Sequence, residues 1–189
     1  MNRFSRSWEL IKASARVLAA DKELLVFPIV SAIASLFVSA AFAIPLFLSG
    51  GINLGAESGF PAVYYLVLFL FYIVQYFVIF FANTALVGAA TIRLKGGDPT
   101  VGDGFRIAFS HFGAILGYAA IAATVGMLLR LVSERSRGLG RLVVSLLGFA
   151  WNIATFLVVP ILAVEGIGPV QAIQRSTALL KKTWGEQII

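Results

Sequence analysis

Residues Ala62–Leu86 read AVYYLVLFLFYIVQYFVIFFANTAL, twenty-five residues without a charge. A helix crosses the hydrocarbon core of a bilayer in about 20 apolar residues. Lipid offers no hydrogen bonds, so a chain segment inside it must pair its own N–H and C=O groups, which a helix does. This stretch therefore predicts a transmembrane helix. Three more stretches have the same character: about Val26 to Leu48, Phe112 to Leu131 and Leu142 to Val164. The expected fold class is all-α, an integral membrane helical bundle with four transmembrane helices in one domain over residues 1–189.

Composition agrees. Apolar residues make up 59% of the chain and charged residues 13%, where a soluble domain has about a quarter charged. Mean hydropathy is +0.92. The nine Asp and Glu residues fall outside the four apolar stretches. Arg130 stands at the end of the third, where a long side chain snorkels to the headgroups. The net charge of +6 comes from basic residues flanking apolar runs, not from a basic patch mixed with exposed aromatics, so no nucleic-acid partner is expected. With no cysteine and one histidine, disulfides, thiolate chemistry and a His-based metal site are excluded. No cofactor is expected.

The motif SAAFA at Ser39–Ala43 resembles a signal-peptide cleavage site. However, the apolar core before and around it is of span length and begins some 25 residues in, unlike the short core of a signal peptide. Orientation follows from Lys and Arg near the spans. Arg3, Arg6, Lys12, Arg16 and Lys22 precede the first span, the connection Ser49–Pro61 has none, and Arg93, Lys95 and Arg106 follow the second. The expected location is the cell membrane, multi-pass, with the N-terminus cytoplasmic. The Arg-rich connection Arg130–Arg141 is the exception, unless the third span is re-entrant.

Three amphipathic interfacial helices are expected, at about residues 3–20, 99–111 and 169–183. In the first, Phe4, Trp8, Ile11, Ala15 and Leu18 recur at helical spacing. In the second, Asp98 is the expected cap with Pro99 at the first helical position, and Val101, Phe105, Ala108 and Phe112 form a stripe. In the third, Pro169 starts the helix and Val170, Ile173, Thr177, Leu180 and Trp184 form the stripe. The first two each precede a hairpin of two spans. The first and third share Ile, Ser and Leu positions at one offset, a short match that suggests an internal repeat. The third is followed by EQII at Glu186–Ile189, so six spans are expected in the full-length chain.

The stretches SWELIKASARVLAADKELLVFPIVS (Ser7–Ser31) and FLVVPILAVEGIGPVQAIQRSTALLKKTWGE (Phe156–Glu186) resemble a family of prokaryotic multi-spanning membrane proteins of unknown function. The second is also loosely similar to the membrane domain attached to some glycerophosphodiester phosphodiesterases. The first resemblance implies further spans after the second motif. It carries no activity to transfer, and no phosphodiesterase domain with its carboxylates and histidines is present in this chain.

Candidate residues are few. Glu165, with Pro160, Arg175 and Ser176, reads either as a site at the inner mouth of the bundle or as packing, with an ion pair or cap setting the angle between the fourth span and the helix after it. Pro160 leaves a carbonyl without its donor and predicts a kink. Gln75, Asn83, Thr84, Asn152 and Thr155 are the polar groups within spans, read as interhelical packing or as the lining of a small polar cavity. Ser31, Ser35 and Ser39 form a small stripe, and Gly113 with Gly117 a GxxxG. His111 reads as an interfacial residue. Arg130, Arg135, Arg137 and Arg141, with Trp8 and Trp184, are candidate contacts for anionic lipid headgroups.

No catalytic constellation is visible, so the expected function is non-enzymatic. A transporter-like module and an accessory membrane subunit are the two versions; the alternative is the membrane domain of a lipid-handling enzyme. Expected partners are the bilayer and a second copy or another membrane subunit.

Overall fold

A computed structural model describes Trp8, Glu9, Lys12 and residues 22–48 and 62–185, the side chains of Ala62, Trp184 and Gly185 excepted. Most of the expected helix at 3–20, the side chain of Trp184 and the EQII segment lie outside the described residues. Trp8 is exposed, and the Lys12 ammonium sits 5.7 Å from the centre of its ring.

The described residues are helical and contain no strand. A 3-10 turn at Lys22–Leu25 leads into α1 (Val26–Leu48). It is followed by α2 (Ala62–Leu94), α3 (Val101–Ser110), α4 (Phe112–Arg135), α5 (Leu139–Ala154), α6 (Val158–Glu165) and α7 (Pro169–Gly185). Four segments are long and apolar enough to cross a membrane: the turn with α1, α2, α4, and α5 with α6. α2 is the hub, touching α1, α3, α4 and α6.

The boundaries differ from the expected ones for local reasons. α2 runs eight residues past Leu86 and has 33 residues, about 50 Å at 1.5 Å per residue, more than a hydrocarbon core needs. The extension is rich in small residues, and there Ala89 is buried and Gly88 lies under the Ile107 side chain of α3. α4 is one unbroken helix through Arg135. Arg130 and Arg135 therefore belong to its last turns and Arg141 to the first turn of α5, so the expected Arg-rich loop shrinks to Ser136–Gly138. Glu134 lies in a long apolar helix after all, ion-paired one turn from Arg130 at 2.9 Å.

α3 is capped by Thr100, not by Asp98, and starts at Val101, so Pro99 precedes the helix. The reason is a capping box: the Thr100 hydroxyl accepts from the Asp103 N–H at 3.2 Å, and the Asp103 carboxylate accepts from the Thr100 N–H at 3.1 Å. The buried centre of α3 is Gly104 and Ala108. Phe112 leaves the expected stripe, starts α4 and sets its ring edge-on to Phe77 at 5.0 Å. Gly104 permits a close approach, since a Cβ there would stand 2.4 Å from Phe27 Cζ and 2.8 Å from the Ala85 carbonyl oxygen. Phe27, Ala85, Ala89, Ala108 and Ile115 form one core; Tyr118, Val158, Ile161, Leu162 and Ala172 form a second around α6.

Two predictions follow from α3. Gly104→Ala is expected to lower stability by about 1–3 kcal/mol through overpacking against a backbone carbonyl, although alanine favours a helix, whereas Gly113→Ala, whose Cβ would meet nothing within 4 Å, is expected to be harmless. Thermal unfolding in detergent compares them. The Thr100 hydroxyl and N–H, with Arg106 nearby, hold the Asp103 carboxyl below its ordinary pKa. A depressed folded-state pKa stabilises above the unfolded value, near 4, and that stabilisation fades as pH falls through the lower folded value. The melting-temperature difference between wild type and Asp103→Asn should therefore be present at pH 7 and shrink on acidification below about 4.

Candidate functional site at the broken fourth span

The fourth apolar segment is two helices, not one. Pro160 has no N–H to give the carbonyl of Phe156, and the chain leaves α-geometry three residues earlier than the proline itself, over Thr155–Leu157. Tight-turn bonds replace the regular ladder, from Phe156 N–H to the Ile153 carbonyl and from Val158 N–H to the Thr155 carbonyl, each 3.1 Å. The helix then resumes as α6.

One side chain from α7 bridges the break. Ser176 Oγ accepts from the Leu157 N–H at 3.2 Å and donates to the Ala154 carbonyl at 2.7 Å. It is wholly buried. α7 approaches this closely because its inner face is Ala172 and Ser176. The expected stripe residues Val170 and Thr177 are exposed instead. Pro169, at the start of α7, rests on Gly117 of α4, where a Cβ would stand 3.0 Å from the proline ring. Gly117 of the GxxxG thus meets α7, and Gly113 meets nothing.

Beside the break lies a cavity of about 410 Å³ between α2, α4 and α5. Its polar wall is Tyr76, Asn83, Tyr118, Trp151, Asn152 and Thr155, and Ala122, Gly126 and Gly148 leave the space. The aromatic side is a stack: Tyr72 on Tyr76 at 6.1 Å, Tyr76 on Phe80 at 5.6 Å and Phe80 on Tyr118 at 4.5 Å between ring centres. Its far end is fixed by Arg130, which donates to the Tyr72 hydroxyl at 3.1 Å and to Glu134. Among the described residues, no charged side chain lines the cavity.

Of the polar residues singled out in the spans, Asn83, Asn152 and Thr155 meet at this cavity. Thr155 is buried and donates to the Trp151 carbonyl at 2.8 Å. Asn83 and Asn152 are exposed, and their side-chain amides have no hydrogen-bond partner among the described residues. Thr84 and Gln75 are not brought there. Thr84 is buried and donates to the Phe80 carbonyl of its own helix at 2.8 Å, and Gln75 Oε1 is buried without a partner among the described residues.

At the other end of α6, Glu165 pairs with Arg175 at 3.3 Å, both partly exposed. Such a pair is worth little in stability, but it ties the end of α6 to α7. His111 sits at the joint of α3 and α4, with Nδ1 2.8 Å from the Ile107 carbonyl and Nε2 over Gly166. Gly166, at φ +64°, is the left-handed cap of α6, a conformation that glycine adopts without strain. Arg135, Arg137 and Arg141 are exposed at the opposite end.

Tyr76, Tyr118 and Trp151 escape a reading that treats aromatics as lipid-facing bulk. One signal was available: Tyr72, Tyr76, Phe80 and Asn83 recur at intervals of four, four and three on one helix face.

Ser176→Ala is expected to cost about 1–3 kcal/mol, because it leaves a part-buried N–H and a part-buried carbonyl without their partner. Thr177→Ala, one residue along, removes only an exposed bond to its own helix and is expected to change the melting temperature little. The comparison in detergent micelles isolates the bridge from general helix propensity.

Comparison with known proteins adds a family and no activity. No curated protein and no solved structure matches the chain, and no link to the glycerophosphodiester phosphodiesterases is shown. Residues 62–189, which hold α2 through α7, match the model of a family of unknown function, DUF6159. The broken span, its Ser176 bridge and the uncharged cavity all lie within that match, and the chain belongs to the DUF6159 family.

Proposed function

We propose that this protein is a non-enzymatic, transporter-like module of the cell membrane, its N-terminus cytoplasmic, which holds a polar solute in the cavity between α2, α4 and α5. The observation that carries this reading is the broken fourth span beside an uncharged polar cavity. In membrane transporters, interrupted helices mark binding sites, because backbone irregularity within a bilayer is tolerated only where it is buried or lines a cavity. Two unpaired amides on span-length helices point the same way, since an amide in hydrocarbon without a partner costs several kcal/mol.

The non-enzymatic reading is supported by how the chemically capable residues are used. Glu165 is paired with Arg175, and a His111 ring nitrogen is within bonding distance of a backbone carbonyl. The exposed Arg135, Arg137 and Arg141 supply a basic surface for anionic headgroups at one end of the bundle. The basic flanks of the first two spans supply the orientation.

The absence of cysteine makes the test clean. Single cysteines replace Asn83, Asn152 and Leu147, the last an exposed apolar position. A small water-soluble thiol reagent reacts with thiolates, which form only where water reaches. Cysteines at 83 and 152 are expected to react at least about tenfold faster than at 147. Equal, slow rates at all three would defeat the reading.

A further inference from the structure

We infer that the cavity takes an uncharged hydroxyl- or amide-bearing group, from a neutral lipid or from a free neutral solute. This rests on the reading of the cavity as a binding site, and concerns what that site selects. Three features of the wall carry it.

The first is charge. No carboxylate, ammonium, guanidinium or imidazole of the described residues lines the cavity. The nearest cation in sequence, Arg130 beside Leu129, already donates to Glu134 and Tyr72. A charged ligand would lose its hydration here and gain no counter-charge, a cost of several kcal/mol.

The second is the aromatic geometry. Cations are held over the faces of aromatic rings. Here Phe80 is stacked on both Tyr76 and Tyr118, with planes within 6° and 24°. These faces are largely spent on one another, so the stack offers the Tyr76 hydroxyl and ring edges rather than a cation cage.

The third is the hydrogen-bond inventory. Asn83 and Asn152 each bring two donors and an acceptor, none used among the described residues. The Thr155 hydroxyl is committed to the Trp151 carbonyl. An amide is best matched by groups that both donate and accept, which hydroxyls and amides do and phosphates and ammoniums do not. The volume, about 410 Å³, lies within the usual range for small-molecule pockets, about 300–1,000 Å³.

Trp151 lines the cavity and serves as the reporter once Trp8→Phe and Trp184→Phe remove the other two tryptophans. In phosphatidylcholine nanodiscs, its emission is followed on adding dioctanoylglycerol, glucose, tetramethylammonium or dioctanoyl phosphatidate. The inference expects a saturable change with dioctanoylglycerol or glucose, weakened at least about tenfold by Asn83→Leu with Asn152→Leu and largely restored by glutamine at both positions. Saturation by glucose assigns the ligand to free solutes, and saturation by dioctanoylglycerol alone assigns it to lipid. A response to either charged probe as strong as to the neutral ones overturns the inference, as does a neutral response that survives the leucine pair, or none at all. The thiol-reagent rates at 83 and 152 then separate the cases: fast labelling with the wrong ligand class leaves the binding-site reading standing, and slow labelling ends both.

Discussion

The pairing of backbone polar groups in an apolar environment governs this molecule. Helices α2 and α4 meet it with unbroken ladders over 33 and 24 residues. The segment from Leu139 to Glu165 does not: Pro160 withdraws the donor for the Phe156 carbonyl, and the ladder is interrupted over Thr155–Leu157. The groups set loose at the break are reclaimed from another helix, by the Ser176 hydroxyl acting as acceptor and donor at once. That contact, with Pro169 on Gly117, buried Ala172 and the Glu165–Arg175 pair, holds α7 against the break, and it pairs backbone groups where a long apolar segment is discontinuous beside a cavity.

Small residues settle how the helices approach. Gly104 and Ala108 on α3, Ala172 and Ser176 on α7, and Gly117 on α4 stand at the closest contacts. Without water to expel, apolar helices gain by bringing backbones together, and bulk at the contact prevents it. The large aromatics do other work. They stack along α2 and across to α4, and the same stack is one wall of the cavity. Packing and site are thus made of the same side chains, with Arg130 closing the stack at its far end.

This division explains which residues a sequence reading finds. Asn83, Asn152 and Thr155 are conspicuous as amides and a hydroxyl in apolar runs, and they do share one cavity. Gln75 and Thr84 look identical by that criterion and lie elsewhere, because helical rotation relative to neighbours is not written in composition. On α7 the expected stripe misplaces part of the contact face for the same reason: hydrophobicity ranks Val170 above Ala172, yet Val170 is exposed and Ala172 is wholly buried, whereas on α3 Val101, Phe105 and Ala108 of the stripe do pack on the core. The sequence marks Ser176 only as a candidate near Glu165 and Arg175, and its bridging role is not legible there, since its partners are backbone groups 19 and 22 residues away.

The sequence by itself determined the class of structure, the helical state and the rough positions of four long apolar segments. Length and hydropathy suffice for these, because the bilayer leaves so few options for the backbone. It also held the proline that breaks the fourth segment. Tertiary structure alone decided that the break falls at Thr155–Leu157, that α7 covers it, and that three of five polar residues converge with Tyr76, Tyr118 and Trp151 on an uncharged cavity. Those outcomes depend on the rotation and depth of each helix against its neighbours. They are set by close contacts between small residues rather than by the periodicity of large ones.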